Sequence, residues 1–219
     1  MELEDLKNLS RQLSCPTGDG GIVLGHKMNE TNEFITNKSI DVLAPAAGEN
    51  ITEIGFGNGV LSQRIIDSIG DNGKFTGIEK SHTLAKQAHE YFCCGDKSNI
   101  TIHSTNYSEV DINNNSIDGI LAVNLLYFID DTHLFFKKLY NWLKPGGRII
   151  VGIRSPQTLK KMPFTQFYFK LRSESEVITS MSDSGFTHVD TQYYDEGVTS
   201  FNEMIVPVDA LIIKAIKKI

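Results

Sequence analysis

The stretch Ile51–Val60, with the sequence ITEIGFGNGV, constrains the fold of this chain more than any other segment. It places three glycines, Gly55, Gly57 and Gly59, within five positions directly after a short apolar run. Glycine has no Cβ, so it adopts positive φ angles and lets the backbone come close to another group. A cluster of this kind after a strand predicts a tight turn from a strand into a helix.

Short apolar runs alternate with helical patterns beyond this turn. The predicted strands lie at residues 51–54, 74–78, 100–103, 117–123 and 148–153. The predicted helices lie between them, at about residues 61–69, 82–92 and 134–142. This alternation is typical of βαβ units, and runs rich in Ile, Val and Leu indicate parallel strands covered on both faces. We therefore expect an α/β fold with a doubly wound sheet.

The C-terminal part has a different pattern. Ser173 and Glu176 have the spacing of a capping box, which predicts the start of a helix that ends near Gly185. Two β-like runs follow, at residues 186–194 and 204–215. Because no crossover helix separates them, we expect these two strands to pair antiparallel.

The N-terminal part contains two helical patterns, the first marked by leucines at positions 3, 6, 9 and 13 and the second extending over residues 28–43. Between them, the segment CPTGDGGIVLG at residues 15–25 is rich in glycine and is predicted to be a loop. We therefore divide the chain into an N-terminal helical lid, residues 1–46, and an α/β domain, residues 47–219.

The glycine spacing argues against two phosphate-binding motifs. A dinucleotide fingerprint requires Gly-x-Gly-x-x-Gly, and here Val60 takes the place of its last glycine. A P-loop requires Gly-Lys-Ser or Gly-Lys-Thr, which does not follow. Glu53, two residues before the first glycine, would repel a pyrophosphate and attract a cationic group. The turn therefore favours a cofactor without phosphates.

With its acid and three glycines, the segment Glu53, Ile54, Gly55, Phe56, Gly57, Asn58 and Gly59 resembles the first motif of the class I S-adenosylmethionine-dependent methyltransferases. The run WLKPGGRIIV at residues 142–151 is similar to that family's entry into its fifth strand. The resemblance covers residues 47–152 and extends to the closing antiparallel strands. Within the family, the small-molecule methyltransferases of ubiquinone and menaquinone biosynthesis look most similar. The resemblance implies a Rossmann-like seven-stranded sheet of order 3-2-1-4-5-7-6 whose last strand is antiparallel.

The resemblance also implies a set of residues that bind S-adenosylmethionine. Residues expected at the methionine end are Glu53, Gly55, Phe56, Gly57, Gly59, Asn124 and Leu125. Glu79, at the end of the second strand and followed by Lys80, is expected to bind the ribose hydroxyls. Asn106, where the family usually has Asp, and Tyr107 are expected at the adenine, with the Asn carbonyl oxygen accepting from the exocyclic amine.

The methyl acceptor is expected to be a small molecule. Asn124 is not followed by the Pro-Pro-Tyr of nucleic-acid amino methyltransferases, and Cys15 precedes a proline instead of following one as a nucleophile would. The histidines show no metal-ligand spacing, so no metal site is predicted. Tyr127 is a candidate catalytic residue close to the transfer site, and His26 is a candidate base.

Two segments could close over the acceptor. One is the N-terminal region through residue 34, and the other is the aromatic-rich segment 155–172, with the sequence SPQTLKKMPFTQFYFKLR. The aromatic residues of that second segment could form an apolar substrate wall. They could equally belong to an amphipathic surface helix that packs on the sheet.

Charge and composition exclude several other functions. A net charge of -6 over 219 residues, without a lysine or arginine cluster, argues against a nucleic-acid partner. The acidic N-terminus lacks the features of a signal peptide, and no apolar run has the length of a membrane span. Cys15, Cys93 and Cys94 have neither disulfide-framework nor metal-site spacing and are expected to be reduced thiols. These features favour a cytoplasmic enzyme, while the sequence leaves its oligomeric state open.

Two alternatives stay open at this point. A nicotinamide-dependent oxidoreductase would use the same kind of fold, although Val60 and Glu53 argue against it. A non-catalytic protein that keeps the cofactor fold is the other alternative, because a fold does not establish a function.

Overall fold

The computed structural model describes residues 1–92, 98–201 and 204–219. The α-helices are α1 (Leu3–Ser14), α2 (Gly18–Leu43), α3 (Gln63–Ile69), α4 (His82–Phe92), α5 (Thr132–Trp142), α6 (Pro156–Leu159), α7 (Thr165–Tyr168) and α8 (Glu174–Asp183). The strands are β1 (Asn50–Ile54), β2 (Lys74–Ile78), β3 (Ile100–His103), β4 (Ile117–Val123), β5 (Leu143–Ile153), β6 (Phe186–Phe201) and β7 (Met204–Lys217). Cys93 and Cys94, which are expected to be reduced thiols, lie outside the described residues.

The strands form one sheet in the order β3-β2-β1-β4-β5-β7-β6. Strands β1 to β5 are parallel, and β7 is antiparallel to both of its neighbours. The predicted strand order and the antiparallel last strand are both confirmed. Because β1 pairs with β2 on one side and with β4 on the other, the chain reverses direction across the sheet there. That reversal is the point at which open α/β sheets form a ligand crevice.

Helices cover both faces of the sheet, as the apolar character of the strands predicts. On one face, α2, α3 and α4 pack against the sheet through buried residues that include Ile35, Ile65 and Phe92. On the other face, α5 and α8 pack through residues that include Phe135 and Met181. The second half of α2 thus belongs to the core of the sheet domain, whereas α1 packs against α7.

The predicted loop at residues 15–25 is wrong for most of its length, because α2 begins at Gly18. Two of its glycines allow close packing of this helix. A Cβ on Gly21 would lie 2.8 Å from the carbonyl carbon of Pro16, and one on Gly25 would lie 2.6 Å from Cδ2 of Leu84. The glycine content of the segment reflects these contacts, which sequence reading mistook for the signature of a loop.

The C-terminal half follows the prediction with longer elements. The capping box at Ser173 and Glu176 is present, and α8 starts directly after Ser173. Strand β5 begins at Leu143, ahead of the predicted start at residue 148, and its pairing with β4 is irregular between Ile117 and Gly119. In the described part of the chain, no helix combines the length and the apolar character that crossing a membrane requires.

Candidate active site

The glycine turn after β1 lies against the end of β2 and is held there by two hydrogen bonds that its backbone amides donate. The amide of Gly55 donates to the carbonyl oxygen of Ile78 at 2.8 Å, and the amide of Gly57 donates to Oε2 of Glu79 at 3.0 Å. Gly55, Gly57 and Gly59 all have positive φ, between 65° and 82°. The turn therefore needs glycine for its backbone conformation, as the sequence predicted.

A cavity of about 330 Å³ opens beside this turn, at the carboxyl ends of β1, β2 and β4, and is called here the glycine-turn cavity. The size is within the range of sites that bind small molecules. Eight of the residues predicted to bind the cofactor line it: Gly55, Gly57, Glu79, Lys80, Asn106, Tyr107, Asn124 and Leu125. The fold thus brings together residues that lie up to 70 positions apart in the sequence.

Three other predicted cofactor residues do not line this cavity. Glu53 is buried beneath the turn, and its Oε2 accepts a hydrogen bond from Oγ of Ser62 at 2.7 Å. Phe56 packs in the core, edge-on to Phe75. At Gly59 a Cβ would lie 2.5 Å from the ring of Phe92, so this glycine permits α4 to pack against the turn. All three make buried contacts that hold the turn against the rest of the domain. The motif thus also serves to join the strand to its helices.

The carboxyl group of Glu53 has an unusual environment. Burial raises the pKa of Glu53 to about 7, the negative charge of Glu79 adds to this, and the hydrogen bond from Ser62 opposes it. The carboxyl joins β1 to the turn of 3₁₀ helix at Val60–Ser62. Glu53 thus bonds within the glycine turn and does not line the glycine-turn cavity.

Glu79 is buried and lies in the wall of the cavity. Its Oε1 accepts from the amide of Ser81 at 2.8 Å, and its Oε2 accepts from the amide of Gly57 at 3.0 Å. Burial raises the pKa of Glu79, whereas these backbone bonds and the charge of Lys80 lower it. Each carboxylate oxygen has a second lone pair. Glu79 can therefore accept hydrogen bonds from two neighbouring hydroxyl groups of a ligand.

Asn106 differs in detail from its expected role. Its Oδ1 accepts from both the amide of Ser108, at 3.1 Å, and the hydroxyl of Ser108, at 3.0 Å. Both lone pairs of the carbonyl oxygen are thus used to cap the short 3₁₀ turn at Tyr107–Glu109. The Nδ2 group of Asn106 is therefore the side-chain group that could bind a ligand, as a donor to a ring nitrogen of an adenine. Tyr107 is half-buried, with its ring edge-on to Phe135 at 4.9 Å.

The end of β4 carries a small hydrogen-bond network. Asn124 has a positive φ of 51°, which Asn tolerates better than most residues. Its Nδ2 donates to Oδ1 of Asn32 at 3.0 Å, and its Oδ1 accepts from the hydroxyl of Tyr127 at 3.0 Å. The same hydroxyl accepts from the backbone amide of Arg154. The network joins β4 to α2 and to the end of β5.

A second cavity, of about 520 Å³, adjoins the first and is called here the aromatic cavity. Its aromatic lining consists of Tyr127, Phe128, Phe164, Phe169 and Phe201. The two cavities share one wall, formed by Leu13, Met28, Asn32, Asn124 and Phe128. A ligand in one cavity would therefore face a ligand in the other across Asn32 and Asn124.

The two candidate catalytic residues have different positions. Tyr127 lines the aromatic cavity, but its hydroxyl is fully engaged, and burial raises the pKa of this phenol far above neutrality. His26 is exposed on α2 and lines neither cavity, so its position does not fit the predicted role of a base. The helix presents Leu24, Met28 and Asn32 to the cavities, at i, i+4 and i+8, and His26 points away from that face.

Several lining residues have no counterpart in the sequence prediction. Phe128 contributes to both cavities, and the ammonium group of Lys80 lies 5.5 Å from its ring centroid. Its position directly after Tyr127 in the sequence was a usable signal. Met28 and Asn32 also contribute to both, yet nothing in the sequence marks them. Within the described ranges, no group of three His, Cys, Asp or Glu side chains is placed to hold a metal ion.

A family model described as a methyltransferase domain matches residues 51–147. This match, the sheet order and the position of the glycine-turn cavity agree with one another. Residues 51–147 thus match a methyltransferase domain, and the sheet has the strand order that the resemblance to class I S-adenosylmethionine-dependent methyltransferases predicts. The predicted methyltransferase family and the predicted fold class are thereby confirmed.

Individual relatives give the same class. Phosphoethanolamine N-methyltransferase 3 of Arabidopsis thaliana is 26% identical over 157 residues, which cover 71% of this chain and 30% of that protein. Demethylmenaquinone methyltransferase of Listeria monocytogenes is 26% identical over 102 residues, 47% of this chain and 43% of that one. The aligned parts amount to about a third of the length of the plant and nematode phosphoethanolamine methyltransferases.

A solved structure resembles nearly the whole chain. Phosphoethanolamine N-methyltransferase 2 of Haemonchus contortus, in complex with phosphomonomethylethanolamine and S-adenosylhomocysteine, has a TM-score of 0.75 at 14% identity. The match covers 98% of this chain and 60% of that one. At this level of identity the likeness is one of fold, and it extends over more of the chain than residues 51–147.

Proposed function

We propose that this protein transfers a methyl group from S-adenosylmethionine to a small-molecule acceptor. The observation that supports this most directly is the pair of adjoining cavities that meet at Asn32 and Asn124. One cavity has the glycine turn and a buried carboxylate of the methyltransferase fold, and the other is mainly apolar. Two substrates bound side by side in this way would be held for direct transfer.

The residues of the glycine-turn cavity fit S-adenosylmethionine group by group. The free lone pairs of Glu79 suit two ribose hydroxyls, and Gly55 and Gly57 leave room for the amino-acid end beside Leu125. Tyr107, together with Nδ2 of Asn106, would hold the adenine. Asn124 would orient the end of the cofactor that faces the second cavity.

S-adenosylmethionine supplies a methyl group on a sulfonium, which leaves as a neutral thioether when the acceptor takes the methyl group. The protein therefore has to align the two partners and keep water out. Residues of α1 and α2, including Leu13 and Met28, cover both cavities and would do the latter. We assign Tyr127 a positioning role, since its hydroxyl fixes the side-chain amide of Asn124.

A dinucleotide cofactor fits less well. Gly-x-Gly-x-Gly replaces its fingerprint, and the comparisons give the nicotinamide alternative no support. The relatives' names point to two kinds of acceptor, a phosphorylated amine and a quinone. Both are small molecules, which supports a small-molecule acceptor.

The experiment is to incubate the protein with S-adenosylmethionine carrying a labelled methyl group and an extract of small metabolites. We expect labelled product and S-adenosylhomocysteine to form in equal amounts. A parallel reaction with NAD and NADP controls for oxidoreductase activity. If the cofactor binds but no acceptor in a broad set turns over, the non-catalytic alternative gains over this proposal.

A further inference from the structure

The aromatic cavity is lined by a continuous cluster of rings from three separate segments. Phe164 and Phe201 meet edge-on with centroids 5.3 Å apart, which joins the segment after β5 to the end of β6. Tyr127 and Phe169 are stacked at 5.5 Å, and Phe128 meets Phe169 at 4.7 Å. Aromatic walls of this kind favour contact with another flat apolar ring.

The charged residues in the lining are paired. Lys27 and Glu30 form an exposed ion pair at 2.7 Å at the rim. Arg154 and Glu196 form a second pair, and this one is largely buried. Among the described residues that line the cavity, every charge thus has a partner of opposite sign, so the lining carries no net charge.

Among the described residues that line the cavity, Arg154 is the one cation deep enough to receive an anionic ligand, and the donors on its two terminal nitrogens are already used. Its two terminal nitrogens donate to the carboxylate of Glu196, to the carbonyl oxygen of Asp209 at 2.6 Å, and to the carbonyl oxygen of Thr31 at 3.0 Å. A phosphate or carboxylate group would have to displace Glu196. Removing one partner of a buried ion pair is costly, so a charged acceptor would bind poorly.

We propose that the aromatic cavity selects an uncharged aromatic acceptor, and that Glu196 enforces this selection by neutralising Arg154. The proposal rests on the proposed function, because it assigns this cavity to the methyl acceptor. It makes Glu196 a specificity-determining residue located on β6, far in sequence from the cofactor motif.

The test uses three probes of one shape and different charge: 2-naphthol, 2-naphthoate and 2-naphthylmethylammonium, with phosphoethanolamine as a fourth probe. Each is titrated calorimetrically into the full chain saturated with S-adenosylhomocysteine. We expect 2-naphthol to bind at least about tenfold more tightly than any charged probe. Equal or tighter binding of a charged probe, or no binding of 2-naphthol, overturns the proposal.

The Glu196→Gln variant tests the role of that residue. It frees the charge of Arg154 in part, so 2-naphthoate should gain about five- to tenfold in affinity while 2-naphthol changes less than about threefold. The double variant Arg154→Gln with Glu196→Gln removes both charges and should lose that gain. If Glu196→Gln gives 2-naphthoate no gain while the variant is folded, Glu196 has no such role.

The aromatic wall has a matched pair of variants on β6. Phe201→Ala should weaken 2-naphthol binding by about tenfold, because the wall loses a ring. Tyr193→Ala removes an exposed ring of the same strand that lies outside the cavity and should leave binding unchanged.

If wild-type protein does not bind S-adenosylhomocysteine at all, the proposed function fails. If it binds S-adenosylhomocysteine but prefers a charged probe, only the inference about the acceptor fails.

Discussion

The side-chain amide of Asn124 donates a hydrogen bond to Oδ1 of Asn32 at 3.0 Å, and this bond joins the end of β4 to α2 in the wall between the two cavities. The two residues are 92 positions apart in the sequence. Asn124 has positive φ, and its other amide atom accepts from Tyr127. The orientation of its side chain is therefore fixed from two sides.

Replacing Asn32 with Ala should leave the side chain of Asn124 free to change its orientation. The Nδ2 group of Asn124 would lose its acceptor, so we expect a loss of about 1 kcal/mol in the free energy of unfolding and a severalfold lower affinity for S-adenosylhomocysteine. Urea denaturation and calorimetry measure the two effects. Asn29→Ala, on the same helix but outside both cavities, is the control and should change neither. Equal effects of the two variants would mean that the bond has no special role.

Replacing Tyr127 with Phe separates a positioning role from an acid–base role. The change removes the donor to Asn124 and the acceptor for the Arg154 amide. Both bonds are buried, so the free energy of unfolding should fall by roughly 1–3 kcal/mol. Because burial raises the pKa of Tyr127 and keeps the phenol neutral, the pH profile of methyl transfer should keep its shape. Tyr140 makes no such hydrogen bonds to described residues through its hydroxyl, so Tyr140→Phe controls for the loss of a phenol oxygen. Disappearance of one limb of the pH profile in Tyr127→Phe would instead assign the phenol a proton-transfer step.

Glu53 should make the stability of the protein depend on pH. Burial raises the pKa of Glu53 to about 7 from an ordinary 4.5, so the folded state holds a proton that the unfolded state releases. Its stabilisation is complete below about pH 4.5 and is lost as the pH rises to about 7, a change of about 3 kcal/mol in the free energy of unfolding.

The variant Glu53→Gln tests this linkage. It keeps an oxygen to accept from Ser62 but does not titrate, so the slope of stability against pH between about 4.5 and 7 should become flatter. Chemical denaturation at a series of pH values provides the measurement. Glu33→Gln, an exposed carboxyl on α2, should leave the wild-type slope in place. An unchanged slope in Glu53→Gln would show that Glu53 is ionised in the folded state at these pH values.

Gly59 and Gly48 have nearly the same backbone conformation, with φ of 82° and 84°, and differ in their surroundings. A Cβ at position 59 would lie 2.5 Å from the ring of Phe92, whereas a Cβ at position 48 would meet no atom within 4 Å. Gly48→Ala should cost about 1 kcal/mol, for the left-handed conformation alone. Gly59→Ala should cost about 1–3 kcal/mol more, from overpacking against α4. Thermal and urea unfolding of both variants measure this difference, and equal losses would remove the packing role assigned to Gly59.

The strands and their order could be predicted because each buried parallel strand is a short apolar run bounded by turn residues. The bounds of β2, at Lys74–Ile78, and of α4, at His82–Phe92, agree with the prediction to the residue. The prediction of a loop at residues 15–25 failed because two of its glycines are required by tertiary packing and not by a turn. Gly21 and Gly25 lie inside a helix, and glycine is needed there because Pro16 and Leu84 come close to their Cα atoms. The sequence carries no sign of that proximity.

The site was predictable where a residue sits at the end of a predicted strand. Glu79 and Asn124 follow β2 and β4, and both line the glycine-turn cavity. Asn32 could not be found, because its role depends on how α2 crosses the sheet. The predicted role of His26 depended on the same missing information, and the helix turns this residue outward.

The central claim is that the glycine-turn cavity binds the nucleoside and amino-acid parts of S-adenosylmethionine through Glu79. A calorimetric titration of the full chain with S-adenosylhomocysteine, repeated with NAD and with the variant Glu79→Gln, tests it most directly. We predict binding of S-adenosylhomocysteine, no binding of NAD, and an affinity about 10- to 100-fold lower in Glu79→Gln, since an amide in place of the carboxylate loses charged hydrogen bonds. Binding of NAD without S-adenosylhomocysteine, or an unchanged affinity in Glu79→Gln, would contradict the claim.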